Sequence, residues 1–182
     1  MVGNLPNYTQ YDVLSAFLHI EDGMSREALT KKLSLGEGSV RSILDELKRK
    51  NLLKGTQHGH YLTEHGAKQR RQLLKKLMPP KSVQMPFYPE LVKVAIVIHE
   101  RKNLELGYKQ RDVAVKNCAE GALLLQVRNG KLVLPGFSEN YSLGMLEKEF
   151  PLQEHDVMVV AFAKKRHNAE RAAIAVAQEL MS

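Results

Sequence analysis

Ser39, Arg41, Ser42 and Asp45, with Lys48 and Arg49 a turn further on, are spaced so that an α-helix would carry them on one side. Hydroxyls, a guanidinium and a carboxylate are the groups that hydrogen-bond base edges in a DNA major groove. Arg41 is the sharpest of them, because its planar fork spans guanine O6 and N7 in a contact worth about 1–3 kcal/mol of discrimination. Lys48, Arg49, Lys54, Gln57, His58 and His60 supply the donors that hold phosphate oxygens. The plainer reading of such residues is a solvated helix face. What separates the two is the opposite face, and that depends on the elements that carry these side chains.

The stretch from Ser25 to Thr63 supplies those elements. Ala28, Leu29 and Leu33 recur at helical spacing behind Ser25, a good N-cap residue. Ser34-Leu35-Gly36 makes a tight turn. Val40, Ile43, Leu44 and Leu47 then form an i, i+3, i+4, i+7 stripe that must face a core, leaving Arg41 and its neighbours outside. From Lys54 to Tyr61 the chain reads as two short strands about a glycine-containing turn, a wing. Upstream, Gln10 to Ile20 places Val13, Leu14, Phe17 and Leu18 on one face and predicts a helix that closes a three-helix core. Downstream, Thr63 to about Leu77 predicts a basic helix with Leu73, Leu74 and Leu77 as its apolar positions. Such a helix can touch phosphates, pack on a second subunit or simply connect.

Helix, tight turn, longer helix with a basic end, hairpin and new helix is the order of a winged helix-turn-helix. The residues ALTKKLSLGEGSVRSILDELKRKNLL followed by HYLTEHG resemble the winged-helix regulators of archaea and bacteria, over about residues 9–77. The resemblance implies DNA binding without naming an operator.

Composition sets the outer limits. The chain has 182 residues and a formal charge of +7, of which residues 1–80 hold 13 Lys/Arg against 8 Asp/Glu. The excess therefore sits on the part that looks like a DNA reader. A single cysteine, Cys118, excludes an intramolecular disulfide and suits a reducing cytosol. No apolar run is long enough to span a membrane, and no signal-peptide pattern opens the chain, so a cytoplasmic protein is expected.

Pro79, Pro80, Pro86 and Pro89 mark residues 78–90 as a proline-rich linker between a domain at 1–77 and another at 91–182. From Leu91 the pattern changes. Leu91–His99 and Asp156–Ala163 read as buried strands, and Asn129-Gly130 as a hairpin turn between Ala122–Val127 and Lys131–Leu134. Tyr108–Asn117, Ser142–Phe150 and Arg166–Leu180 read as helices. The fold class expected is α+β: a winged helix-turn-helix followed by a small α/β domain, ferredoxin-like β-α-β-β-α-β with a terminal helix. The layout is similar to the feast/famine regulators, which join a helix-turn-helix to a βαββαβ domain that oligomerises and senses amino acids. Those readers lack so plain a wing, and their glycine-centred ligand loop has no match here. The stretch RDVAVKNCAEGALLLQVRNGKLVLPG (Arg111–Gly136) more closely resembles an archaeal group of winged-helix proteins whose C-terminal domain has no established function.

Other chemistry-bearing residues carry less. His58, His60 and His65 cluster at the wing without a further ligand at metal-site spacing. Cys118 has no histidine near it in sequence and reads as a small hydrophobe. Lys109 and Arg111 could meet an anionic ligand at a helix start, and Pro135, Gly136 and Phe137 could line a pocket. A salt-bridged first turn and an ordinary loop explain them more simply.

The expectation is a sequence-specific DNA-binding transcriptional regulator, ligand-responsive through its C-terminal domain. Its partners are double-stranded DNA, a second copy of the chain and a small-molecule effector, with no cofactor, metal, membrane or catalytic residue. The alternatives are a winged-helix protein-interaction scaffold and, last, an enzyme with a fused regulatory domain.

Overall fold

The computed structural model describes residues 7–99, 108–135 and 143–182. The chain divides into two compact units, Met1–Leu73 and Leu74–Ser182.

The first unit begins with α1 (Gln10–His19). The Asp12 carboxylate reaches back to the Thr9 amide at 2.7 Å and the Thr9 hydroxyl at 2.9 Å, which fixes where the helix starts. In α2 (Arg26–Leu33) the predicted cap is in place, Ser25 Oγ accepting from the Ala28 amide at 3.1 Å. Ser34 ends α2 in the left-handed region at φ 55°, and α3 (Glu37–Arg49) starts three residues later with Gly36 as its N-cap. Val40, Ile43, Leu44 and Leu47 are all buried, packed in one cluster with Phe17, Leu29 and Leu33. Each such aliphatic side chain contributes on the order of 1.5–3 kcal/mol by leaving water, and this three-helix core holds the unit together.

The wing follows as β1 (Leu53–Thr56) and β2 (Gly59–Leu62), antiparallel with Lys54 opposite Tyr61 and Gly55 opposite His60. A third segment joins it: Met24 forms an antiparallel bridge with His60. The approach is close, because a Cβ on Gly59 would lie 2.4 Å from the Gly23 carbonyl oxygen. The hairpin is thereby sewn to the segment between α1 and α2. Thr63 then turns the chain into α4 (Glu64–Leu74), its hydroxyl donating to the Asn51 carbonyl at 2.6 Å and accepting from the Gly66 amide at 2.9 Å.

In the second unit, five strands form one antiparallel sheet in the order β3-β4-β7-β5-β6. They are β3 (Lys81–Val83), β4 (Val92–Ile98), β5 (Gly121–Arg128), β6 (Lys131–Val133) and β7 (Val157–Ala163). The helices are α5 (Tyr108–Lys116), α6 (Gly144–Glu149) and α7 (Arg166–Met181). Alternate residues divide the sheet faces. Ala95, Val97, Leu125, Val127, Met158 and Val160 pack with Leu143, Leu146 and Phe150 at α6. Residues of the other parity, such as Val94, Ile96, Val159 and Ala161, are fully buried on the face that α5 and α7 cover.

The α+β class stands, but three details depart from expectation. The strand order is not ferredoxin-like. There the hairpin's second strand lies between the two parallel strands of the split βαβ; here β7, the last strand, lies between β4 and β5. Nearly continuous apolar strands fit equally well beside several partners, so burial alone does not select the neighbour. Residues 78–90 are not a free linker: β3 pairs with β4, and Val83 and Met85 enter the core. Leu77 is not part of α4, which stops at Leu74; it is 1% exposed and bridges Ile98 in the sheet of the second unit.

Candidate nucleic-acid interface

With the stripe of α3 turned inward, Arg41, Ser42, Asp45, Lys48 and Arg49 are exposed and Ser39 is half-buried. Glu37 is on the same side, 4.0 Å from Arg26 across the turn. Ser42 Oγ donates to the Gly38 carbonyl at 3.2 Å, which leaves its lone pairs outward as acceptors. Asp45 Oδ1 lies 3.7 Å from Lys48 Nζ, both side chains well exposed, a pairing worth little in water and easily exchanged for another partner. Arg41 and Arg49 enter no hydrogen bond or ion pair with a described residue.

Lys48 links this helix face to the wing. A Cβ on Gly55 of β1 would sit 3.4 Å from Lys48 Cε and 3.5 Å from its Nζ, so the lysine crosses over a position that has no side chain. Lys54, Gln57 and His58 are exposed at the hairpin. Gln57 Nε2 and His58 Nε2 are 3.1 Å apart, and the His58 amide donates to Thr56 Oγ1 at 3.1 Å. The tip of the wing is therefore internally organised.

His60 departs from the expected pattern. The sequence offers it beside His58 as a phosphate donor, but His58 lies in the turn, whereas His60 lies in β2. The His60 ring is half-buried, with Nδ1 3.2 Å from the Met24 carbonyl. A role in holding the wing to the Met24 segment fits it better than phosphate contact. Among the described residues no group of three His, Cys, Asp or Glu is placed to hold a metal ion.

On α4, Lys68 and Arg71 are exposed, but Arg70 is turned inward and donates to the Ile20 carbonyl. The helix lies tight against the wing's entry, since a Cβ on Gly66 would be 2.1 Å from the Leu52 carbonyl oxygen. Sequence spacing gave no hint that Gly66 and Gly59 mark close backbone contacts; both look like ordinary turn glycines.

In the second unit those of the suggested ligand residues that are described, Lys109, Arg111 and Pro135, do not converge. Lys109 pairs with Glu179 of α7, and Arg111 is exposed on α5, on the opposite side of the sheet from the α6 face. Pro135 follows Leu134, which packs on the α6 face, while Gly136 and Phe137 lie outside the described residues. Lys109 is taken up in this ion pair, whereas Arg111 makes none with a described residue. Cys118 is exposed at φ 69° after α5, not the buried small hydrophobe expected of it.

Residues 9–68 match a family model described as the PH0730-like N-terminal domain, and residues 91–180 match a domain of unknown function, DUF4443. A solved structure, described as the hypothetical protein PH0730 from Pyrococcus horikoshii OT3, is 28% identical with a TM-score of 0.80. The alignment covers 95% of this chain and 92% of that one, so the likeness to this archaeal protein takes in both units. No curated protein matches. Among the described residues no helix is long and apolar enough to cross a membrane.

Proposed function

We propose that the chain is a sequence-specific regulator of transcription that binds double-stranded DNA as a homodimer. The observation that carries this reading is the continuity of two surfaces. The polar face of α3, with Arg41 and Arg49 unengaged, runs through Lys48 onto a hairpin bearing Lys54. A helix that buries four aliphatic residues on one side and offers such groups on the other is suited to the major groove, and a basic hairpin beside it to the neighbouring phosphates. Arg41, Ser42, Asp45 and Ser39 take the base edges; Lys48, Arg49, Lys54, Gln57 and His58 take the backbone. Asp45 can accept from cytosine N4 once it exchanges Lys48 for a base. One recognition helix reads only a few base pairs, so two half-sites from a dimer supply the rest of the specificity. The second unit, with its own core, is the place for a small-molecule effector. A protein-interaction surface is the second reading, favoured by Glu37 and Asp45 on the same face, which repel phosphates.

The test is selection from randomised duplex DNA with the full chain, followed by sequencing. An enriched palindrome is expected from the wild type. Arg41→Ala should flatten preference at one position of each half-site, and Lys54→Ala should weaken all sequences alike. An unenriched pool, with both variants indistinguishable from wild type, sinks the proposal.

A further inference from the structure

The α6 face of the sheet carries a half-open cavity of about 520 Å³. Its floor is Leu123 and Leu125 of β5; Met85, Phe87 and Tyr88 from the segment after β3 line one part of it, and Leu134 and Leu143 another. That size falls within the range of small-molecule sites, which run from about 300 to 1,000 Å³. Among the described residues that line it none is charged, so the lining suits a hydrocarbon or aromatic body.

The sheet register adds a charge at one end. Three residues stand in a row across the strands, Lys93 opposite Phe162 and Phe162 opposite Gly121, and the next row is Ala95, Val160 and Leu123. Phe162 stacks on Tyr88, their centroids 5.3 Å apart, and has room because a Cβ on Gly121 would lie 2.8 Å from its ring. Tyr88 is 55% exposed and so marks the mouth of the cavity. Lys93 is only 5% exposed, and its Nζ donates to the carbonyls of Tyr88 at 2.6 Å and Leu91 at 3.0 Å. Two of its three N–H groups are used, and among the described residues no carboxylate pairs with it. Among the described residues only neutral carbonyls hold this buried ammonium, and an anion that reaches it adds the opposite charge.

The geometry points to a binding site for an apolar monoanion, a molecule with a hydrocarbon or aromatic body and one carboxylate-like group. The body lies over Leu123 and Leu125, and the anion lies at the Tyr88 end, within the field of Lys93. This deepens the effector part of the functional reading but does not depend on DNA binding.

The test uses the full chain without DNA, so that its failure is separate from failure of the DNA reading. The probe is 1-anilinonaphthalene-8-sulfonate, displaced by decanoate or by decanol. Saturable binding is expected, with decanoate favoured over decanol by about tenfold or more, the worth of a hydrogen bond to a charged group. Lys93→Met should erase that preference while leaving decanol binding in place. Leu134→Trp, which fills the cavity from its rim, should abolish probe binding while the protein still melts cooperatively. Non-saturable binding by the wild type, decanoate preference that survives Lys93→Met, or probe binding that survives Leu134→Trp would each overturn the proposal.

Discussion

Two glycines show how much one missing methyl group can decide. Gly66 faces the Leu52 backbone, where a Cβ would be 2.1 Å from a carbonyl oxygen, and neither backbone can move without shifting α4 or the wing. Gly66→Ala should therefore lower stability by about 1–3 kcal/mol or more, seen as an earlier denaturant midpoint. Gly38, exposed near the start of α3 with nothing within 4 Å of its Cβ position, is the opposite case. Gly38→Ala should raise stability by about 0.5–1 kcal/mol, because alanine loses less backbone freedom in a helix. Equal shifts for the two would contradict the packing described. None of this was legible in the sequence, where both are glycines near polar residues. The same holds for His60: only the pairing of Met24 to β2 shows that its ring serves the interior. Arg41 was legible, because a helical stripe fixes what lies opposite it. Lys93 left a trace too, as the one charged residue in the run Leu91–His99.

Among elements, α3 is specified most strongly. Its four buried aliphatic residues fall at one helical period, and Ile43 is fully buried. Ile43→Ala should cost about 2–5 kcal/mol, while Arg41→Ala should leave thermal stability within about 0.5 kcal/mol of wild type. A melt that fell as far for Arg41→Ala would mean that this side chain supports the fold rather than faces a partner. Strand β3 was invisible for a physical reason: it is three residues long, lies between prolines, and forms only because β4 offers it an edge. Strand order was hidden likewise. Periodicity reports whether a residue is buried, not which strand buries it.

At the scale of the whole molecule, the charge excess at residues 1–80 becomes a statement about salt. Each phosphate contact made by a lysine contributes about 0.9 to the slope of log affinity against log salt. Lys54→Ala should reduce that slope by about 0.9 if one copy binds and by about twice that if two copies bind together. A filter-binding series over several salt concentrations therefore counts protomers as well as contacts. An unchanged slope would remove Lys54 from the interface.

The two outer strands of the sheet in the second unit carry a different consequence. An exposed strand edge is a template on which another chain can add a strand, the first step toward fibrous aggregation. Here β3 and β6 are three residues each, with exposed Lys81 and Lys131 at their starts. The Leu132 amide of β6 is already taken at 2.8 Å by the Glu147 carboxylate of α6. A newcomer would find few vacant donors, a positive charge at each border and a carboxylate to displace. The sheet can be almost wholly apolar inside and still resist growing by strand addition at its edges.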